Sequence, residues 1–142
     1  MTSNPHRISC RVYYEDTDAG GIMYHASYLK FAERGRTEYL RAIGRDHADL
    51  RRQHSLIFAV TDMQIAFKSP AKLDDMTAVE TVVTDVSGAR LQMQQKVFLP
   101  DGVIAAQLVV DLAGLHAETH RPLRLPENLR EQFLSMIKKN KE

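Results

Sequence analysis

The chain has 142 residues, of which 44% are hydrophobic and 26% charged, the composition of one globular domain spanning 1–142 and not of a fibrous or disordered segment. Lys+Arg 19 against Asp+Glu 18 leaves a formal charge of +1, so no field of one sign draws it to nucleic acid or an anionic membrane. A single cysteine, Cys10, excludes an internal disulfide framework and a cysteine-rich zinc site. The start MTSNPHRIS has no apolar core of a signal peptide, and no apolar run approaches the ~20 residues of a spanning helix. A cytoplasmic protein with no membrane insertion is expected.

Residues 6–14 alternate, with Ile8, Cys10, Val12 and Tyr14 on one side, and predict a half-buried strand. Glu15-Asp16-Thr17-Asp18-Ala19-Gly20-Gly21 then ends it in a loop, because short polar side chains and glycines favour turns. From 26 to 43, Tyr28, Ala32, Gly35, Tyr39 and Ile43 recur at helical spacing, and Gly44 supplies a stop. Gly35 inside this helix costs about 1 kcal/mol relative to alanine, which points to a close approach by another part of the chain. Residues 45–55 are charged and read as a short helix or a loop.

Four strands follow, at 56–68, 76–86, 90–99 and 103–115. The connectors Ser87-Gly88 and Pro100-Asp101-Gly102 are too short for parallel crossovers, so the sheet is expected to be mainly antiparallel. Residues 127–139 carry Leu129, Phe133, Met136 and Ile137 at helical spacing and form a C-terminal amphipathic helix. The order predicts an α+β domain with one long helix laid across a curved antiparallel sheet. One helix covers one face of such a sheet, so association of copies through the remaining apolar surface or strand edges is expected.

The densest polar cluster is Glu15-Asp16-Thr17-Asp18, between a strand and the start of the long helix. Carboxylates there serve equally to cap turns, and the residues alone do not choose between Asp16 and Asp18. The helix start offers unpaired N–H groups that can polarise an ester or thioester carbonyl, while a neighbouring carboxylate attacks it or deprotonates water. A Gly-x-Ser-x-Gly elbow, a Walker A loop and a Gly-x-Gly-x-x-Gly fingerprint are all missing from the sequence. Asp16-x-Asp18 is no calcium loop, because Gly20 and Ser27 stand where ligands belong. His116-Ala117-Glu118-Thr119-His120 lacks the acid after its first histidine and precedes Pro122, so a metal site is not expected. Cys10 lies on the apolar side of its strand and reads as a buried hydrophobe.

The run Arg11 to Arg41, RVYYEDTDAGGIMYHASYLKFAERGRTEYLR, resembles the active-site signature of the hotdog-fold acyl-CoA thioesterases of the 4-hydroxybenzoyl-CoA thioesterase family, in the YbgC-like, Tol-Pal-associated branch. Ser69-Pro70-Ala71-Lys72-Leu73-Asp74-Asp75 and the stretch Arg121-Pro122 to Leu125-Pro126 add weaker likeness, so that the resemblance covers about Ile8 to Leu129. It implies a sheet wrapped round the central helix, a homodimer or homotetramer, and active sites between subunits. It places the catalytic carboxylate on Asp18 and the carbonyl-polarising N–H at or next to His25, whose side chain is also implicated, with Tyr24 beside them. The substrate implied is an aliphatic acyl-CoA or an acyl carrier protein thioester, with Lys68, Lys72 and Arg90 as candidates for the CoA phosphates. No metal or bound cofactor is required, CoA being part of the substrate. A non-catalytic acyl-binding or scaffold module serving the cell-envelope machinery is the alternative, and a hotdog dehydratase acting on a 3-hydroxyacyl thioester is a second.

Overall fold

The computed structural model describes residues 5–140. In chain order the elements are β1 (His6–Arg11), a single 3-10 turn (Tyr14–Asp16), α1 (His25–Ala42), α2 (His47–His54), β2 (Leu56–Phe67), β3 (Met76–Ser87), β4 (Arg90–Phe98), β5 (Ile104–His116) and α3 (Glu127–Asn140). The five strands form one antiparallel sheet in the order β1-β3-β4-β5-β2, which leaves β1 and β2 as its edges. Register shifts at Val60/Asp62 and Val83/Asp85 bend the long strands, as bulges do. The sheet curves around α1 in the hotdog arrangement that the resemblance implies.

The two-residue connection between the paired Ser87 and Arg90 fixes the register of β3 and β4. Alternation then sends Thr77, Val79, Thr81 and Val83 of β3 and Leu91, Met93, Gln95 and Val97 of β4 to the helix face, where all are buried. The opposite face is partly covered by its own polar side chains. There Arg7 pairs with Glu80 at 2.8 Å and lies 4.5 Å from the centre of the Phe98 ring.

Helix α1 meets the sheet at Gly35. A Cβ at that position would stand 2.7 Å from Val79 Cγ1 and 3.0 Å from both Gln95 Nε2 and Thr81 Oγ1, so the glycine is where helix and sheet touch. Gln95 is only 1% exposed; its amide donates to Ala32 O at 2.8 Å and Thr81 Oγ1 at 3.0 Å, and its oxygen accepts from Arg36. The helix ends as a Schellman motif: the Arg45 N–H donates to Leu40 O, the Gly44 N–H donates to Arg41 O, and Gly44 takes φ +82°. Residues 45–55 resolve into α2, started by the Asp46 carboxylate accepting from the Asp49 N–H at 2.7 Å. Helix α3 buries Leu129 and Phe133, and its Gln132 donates to Ile43 O, which ties it to the end of α1.

One strand boundary differs from the expectation. β1 stops at Arg11, and Tyr14, placed by alternation on the apolar side, is 84% exposed. The buried Asp16 carboxylate accepts the Tyr13 N–H at 2.8 Å and winds the chain into the 3-10 turn. That local bond ends the alternation three residues early. Among the described residues, no helix is long and apolar enough to cross a membrane.

Candidate active site

The loop after β1 is a closed turn. The Asp18 N–H donates to Ile22 O at 2.9 Å, the Gly21 N–H donates to Asp18 O at 3.0 Å, and Gly21 takes φ +81°, which an L side chain rarely adopts. The returning chain is then pinned from both sides, by the Met23 N–H on Ala71 O and the Tyr24 N–H on Asp16 O, both at 2.8 Å. Helix α1 begins at the next residue, His25.

This geometry separates the two acids that the sequence leaves equivalent. Asp16 is 6% exposed and holds the Tyr13 amide, a structural task. Asp18 is exposed; its Oδ1 accepts the Gly20 N–H at 2.8 Å, and its Oδ2 takes no hydrogen bond among the described residues. Asp18 and His25 both line a cleft of about 410 Å³ between the turn, the start of α1 and the end of β2. Tyr24 caps α1 without a side-chain hydrogen bond, and among the described residues the His25 and Ala26 N–H groups have no acceptor. Such orphan amides at a helix start favour negative charge.

The far wall of the cleft is aromatic. The Phe67 ring lies 5.5 Å from that of Tyr28 and 6.5 Å from that of His25, and His25 in turn lies 4.3 Å from Tyr24. Phe67 is 52% exposed at the end of β2 and is available to a ligand. Tyr28 is buried; its oxygen accepts the Ala71 N–H at 3.2 Å, and burial raises its pKa, the Ala71 bond opposing and the nearby Asp75 charge adding.

Lys68 lines the same cleft. Lys72 lies just outside it, on a segment bridged to Ile22, and its N–H donates to Asp75 Oδ2 at 2.9 Å. Arg90 is not brought to the cleft. It opens β4 opposite Ala113, while Phe67 pairs with Ala106 at the other end of β5, a separation along the strand of roughly 20 Å. It lines a groove with Asp85 and Asp111 instead. Cys10 is 8% exposed, and desolvation raises its thiol pKa, with Arg34 opposing. Among the described residues no group of three or more His, Cys, Asp or Glu side chains is placed to hold a metal ion.

The sequence reading missed Phe67 and treated Tyr28 only as core. Beyond the bulge, Met63, Ile65 and Phe67 alternate onto the helix face, and Phe67 stands one step before Lys68, which was the signal available.

The sequence profile of the thioesterase-like superfamily matches residues 12–133, from the end of β1 into α3. The chain belongs to the thioesterase-like superfamily. Within it the chain is YbgC-like: it is 38% identical over 133 residues to the acyl-CoA thioesterase YbgC of Haemophilus influenzae, covering 94% of this chain and 97% of that protein. The acyl-CoA thioester hydrolase YbgC of Escherichia coli O6:H1 is 35% identical, with 94% and 98% covered. Among solved structures, a probable thioesterase from Bartonella henselae superposes with a TM-score of 0.82 at 36% identity, over 87% of this chain and all (100%) of that one. A Staphylococcus aureus protein solved in complex with CoA shares the fold, with a TM-score of 0.89 at 19% identity over 98% of this chain and 87% of that one.

Proposed function

We propose that this thioesterase hydrolyses acyl-CoA to a free acid and CoA, with Asp18 as nucleophile or general base. The observation that carries the reading is the meeting in one cleft of Asp18, whose Oδ2 takes no hydrogen bond among the described residues, and the amides that open α1 at His25, which have no acceptor among those residues. The relatives bearing acyl-CoA thioesterase names, aligned over nearly the full length of both chains, support the substrate class.

The chemistry follows from charge. The carbonyl oxygen of a thioester gains negative charge as the carbon becomes tetrahedral, and N–H donors already aimed at that position stabilise it without reorganisation. In one route Asp18 Oδ2 attacks the carbonyl carbon, the CoA thiolate leaves, and water then cleaves the acyl-aspartyl anhydride. In the other, Asp18 takes a proton from a water that attacks the carbonyl carbon, and the C–S bond then breaks with the CoA thiolate leaving. In this reading the His25 ring and Phe67 shield the reacting bond, and Lys68, which lines the cleft, and Lys72, just outside it, contact the CoA phosphates. The acyl group is aliphatic in this reading, and the enzyme works in the cytosol.

Association completes the site. The free edge of β2 is 12 residues long and bears the exposed Val60 and Phe67, a surface that unpaired strands must cover. Antiparallel pairing of two copies about a two-fold axis brings the end of one β2 beside the start of the other. Arg90 then approaches the cleft only from the second subunit. Light scattering should give a dimer or tetramer; a monomer at micromolar concentration sinks this part.

The deciding experiment is thiol release from short, medium, long and aromatic acyl-CoAs by wild type and Asp18→Asn. Asparagine keeps the oxygen that accepts the Gly20 N–H, so the turn survives. The variant should lose at least about 100-fold in rate. Equal activity in both proteins eliminates Asp18, and wild type inert on every acyl-CoA eliminates the proposal. Solvent ¹⁸O appearing in the Asp18 carboxylate after single turnover selects the anhydride route with water attacking the aspartyl carbonyl; its absence leaves the water route and an anhydride opened at the acyl carbon.

A further inference from the structure

A second cavity lies along α1 from the Asp18 cleft. It measures about 250 Å³ and sits between the C-terminal half of α1, the start of α2 and strands β2, β4 and β5. Its floor is apolar, built by Phe58, Leu91, Met93 and Leu112. Its polar wall holds Arg36, which is only 9% exposed.

The guanidinium of Arg36 is oriented but not neutralised. Gln95 has both amide bonds committed to Ala32 O and Thr81 Oγ1, so its oxygen is fixed toward Arg36 and accepts from Nη1 at 3.0 Å. Among the described residues no carboxylate lies within 4.0 Å of Arg36. Glu33, one turn earlier on the cavity rim, is too far to pair. Burial lowers the Arg36 pKa, with Glu33 opposing, which marks a charge held against desolvation. A buried cation without a counter-ion is expensive for a fold to keep, and a guanidinium fork matches a carboxylate in geometry as well as charge. The neighbouring Thr37 Oγ1 and His47 Nε2, 3.3 Å apart, offer further hydrogen bonds at the same wall.

We propose that this cavity is a carboxylate subsite, in which Arg36 binds the anionic end of a short aliphatic acid whose chain covers Phe58, Leu91, Met93 and Leu112. Size is consistent with this: an apolar cavity of about 150 Å³ holds benzene, so the present one takes roughly eight to ten heavy atoms, the size of hexanoate. The carboxylate has two possible sources, a free acid or the far end of an ω-carboxyacyl thioester held in the Asp18 cleft of a paired second copy, since His25 of the same chain lies eleven residues, about 16 Å, along α1 from Arg36 and beyond the reach of a six-carbon chain. The second source, unlike the first, rests on the thioesterase reading.

Calorimetric titration of the full chain with hexanoate and with hexan-1-ol tests the site without any turnover. Wild type should bind the acid at least about tenfold more tightly than the alcohol. Arg36→Met should keep the alcohol and lose the preference. Thr37→Phe, a half-buried change that fills the cavity and leaves the Gln95 network alone, should lose both ligands, and it carries the test if Arg36→Met fails to fold. Equal affinity for acid and alcohol in wild type, no binding of hexanoate, or a preference that survives in either variant overturns the proposal. Thiol release from adipyl-CoA and hexanoyl-CoA then separates the sources. A preference for adipyl-CoA that disappears with the cavity assigns the site to the acyl end, whereas a preference for hexanoyl-CoA with inhibition by hexanoate assigns it to the free acid. If neither ester is cleaved, the acyl-end source fails, the full acyl-CoA panel decides the thioesterase reading, and the titration still decides the subsite.

Discussion

Replacing Gly35 with alanine sets two effects of opposite sign against each other. Helix propensity favours alanine by about 1 kcal/mol in a helix interior. Against it, the new Cβ would stand 2.7 Å from Val79 Cγ1 and 3.0 Å from Gln95 Nε2. Carbon atoms pack best at about 3.5–4.0 Å, so the contact with Val79 must open by roughly 0.8 Å. Val79 has no exposed surface, and a β-branched side chain has few other rotamers to retreat to. Helix and strand must therefore part, at about 2–3 kcal/mol for an overpacked core of this kind. The displaced Gln95 amide also weakens its bonds to Ala32 O and Thr81 Oγ1. The net expectation is a loss of about 2 kcal/mol, seen in urea titrations as a midpoint lowered by about 1 M with an unchanged slope. Adding Val79→Ala removes the offending methyl, so the double-mutant cycle should show a favourable coupling of about 1 kcal/mol or more. A Gly35→Ala protein as stable as wild type refutes the view that steric contact, not chance, keeps glycine at this crossing.

Three further outcomes follow from the same structure. Tyr28→Phe orphans the buried Ala71 N–H and should cost about 1–2 kcal/mol, with faster amide exchange at Ala71 and Met23, whose pairing shapes the cleft. Unchanged exchange at both amides would show that the hydroxyl does not hold this loop. Native Cys10 should resist a disulfide reagent and react once urea unfolds the chain, because burial both hides the thiol and raises its pKa; rapid labelling of the native protein contradicts this. Burial lowers the pKa of His6, with Glu38 opposing, and of His47, with Glu33 and Asp46 opposing and Arg41 and Arg36 adding. The unfolded chain then binds protons first, so stability is full above the ordinary value of 6.5 and declines as the pH falls through 6.5 toward the lower folded values. Urea midpoints at about pH 7.5 and about pH 5.5 should show this fall, and the double variant His6→Asn/His47→Gln should flatten it.

What the sequence disclosed is what short-range pattern controls. The alternation in β3 to β5 and the spacing of Tyr28, Ala32, Gly35 and Tyr39 depend only on which face each residue presents, and every one of those four α1 positions is buried. The stop at Gly44 is likewise local, made by the Gly44 N–H on a carbonyl three residues back and the Arg45 N–H on one five residues back. The choice between Asp16 and Asp18 was different in kind, because both stand in one turn and only the path of the surrounding amides decides which carboxylate is occupied. The resemblance implies Asp18, and the hydrogen bond from Tyr13 shows the Asp16 carboxylate committed to the turn. Arg90 illustrates the opposite limit: a cation at a strand end can face either end of a sheet, and the pairing of β4 with β5 sends this one away from Asp18.

Arg36 was hidden by its chemistry rather than by its position. It follows Ala32 by four residues and precedes Leu40 by four, so the helical spacing places it on the buried stripe alongside Gly35 and Tyr39. A search for apolar residues at that spacing discards it, since arginine is almost never fully buried without a partner. The conflict between its periodic position and its charge was legible from the start. Its resolution needed Gln95, 59 residues away, whose oxygen the sheet delivers to the guanidinium and whose own donors are spent elsewhere. A charge on a core-facing position, whose one direct hydrogen bond among the described residues goes to a neutral amide, is the combination that turns a packing residue into a candidate ligand contact.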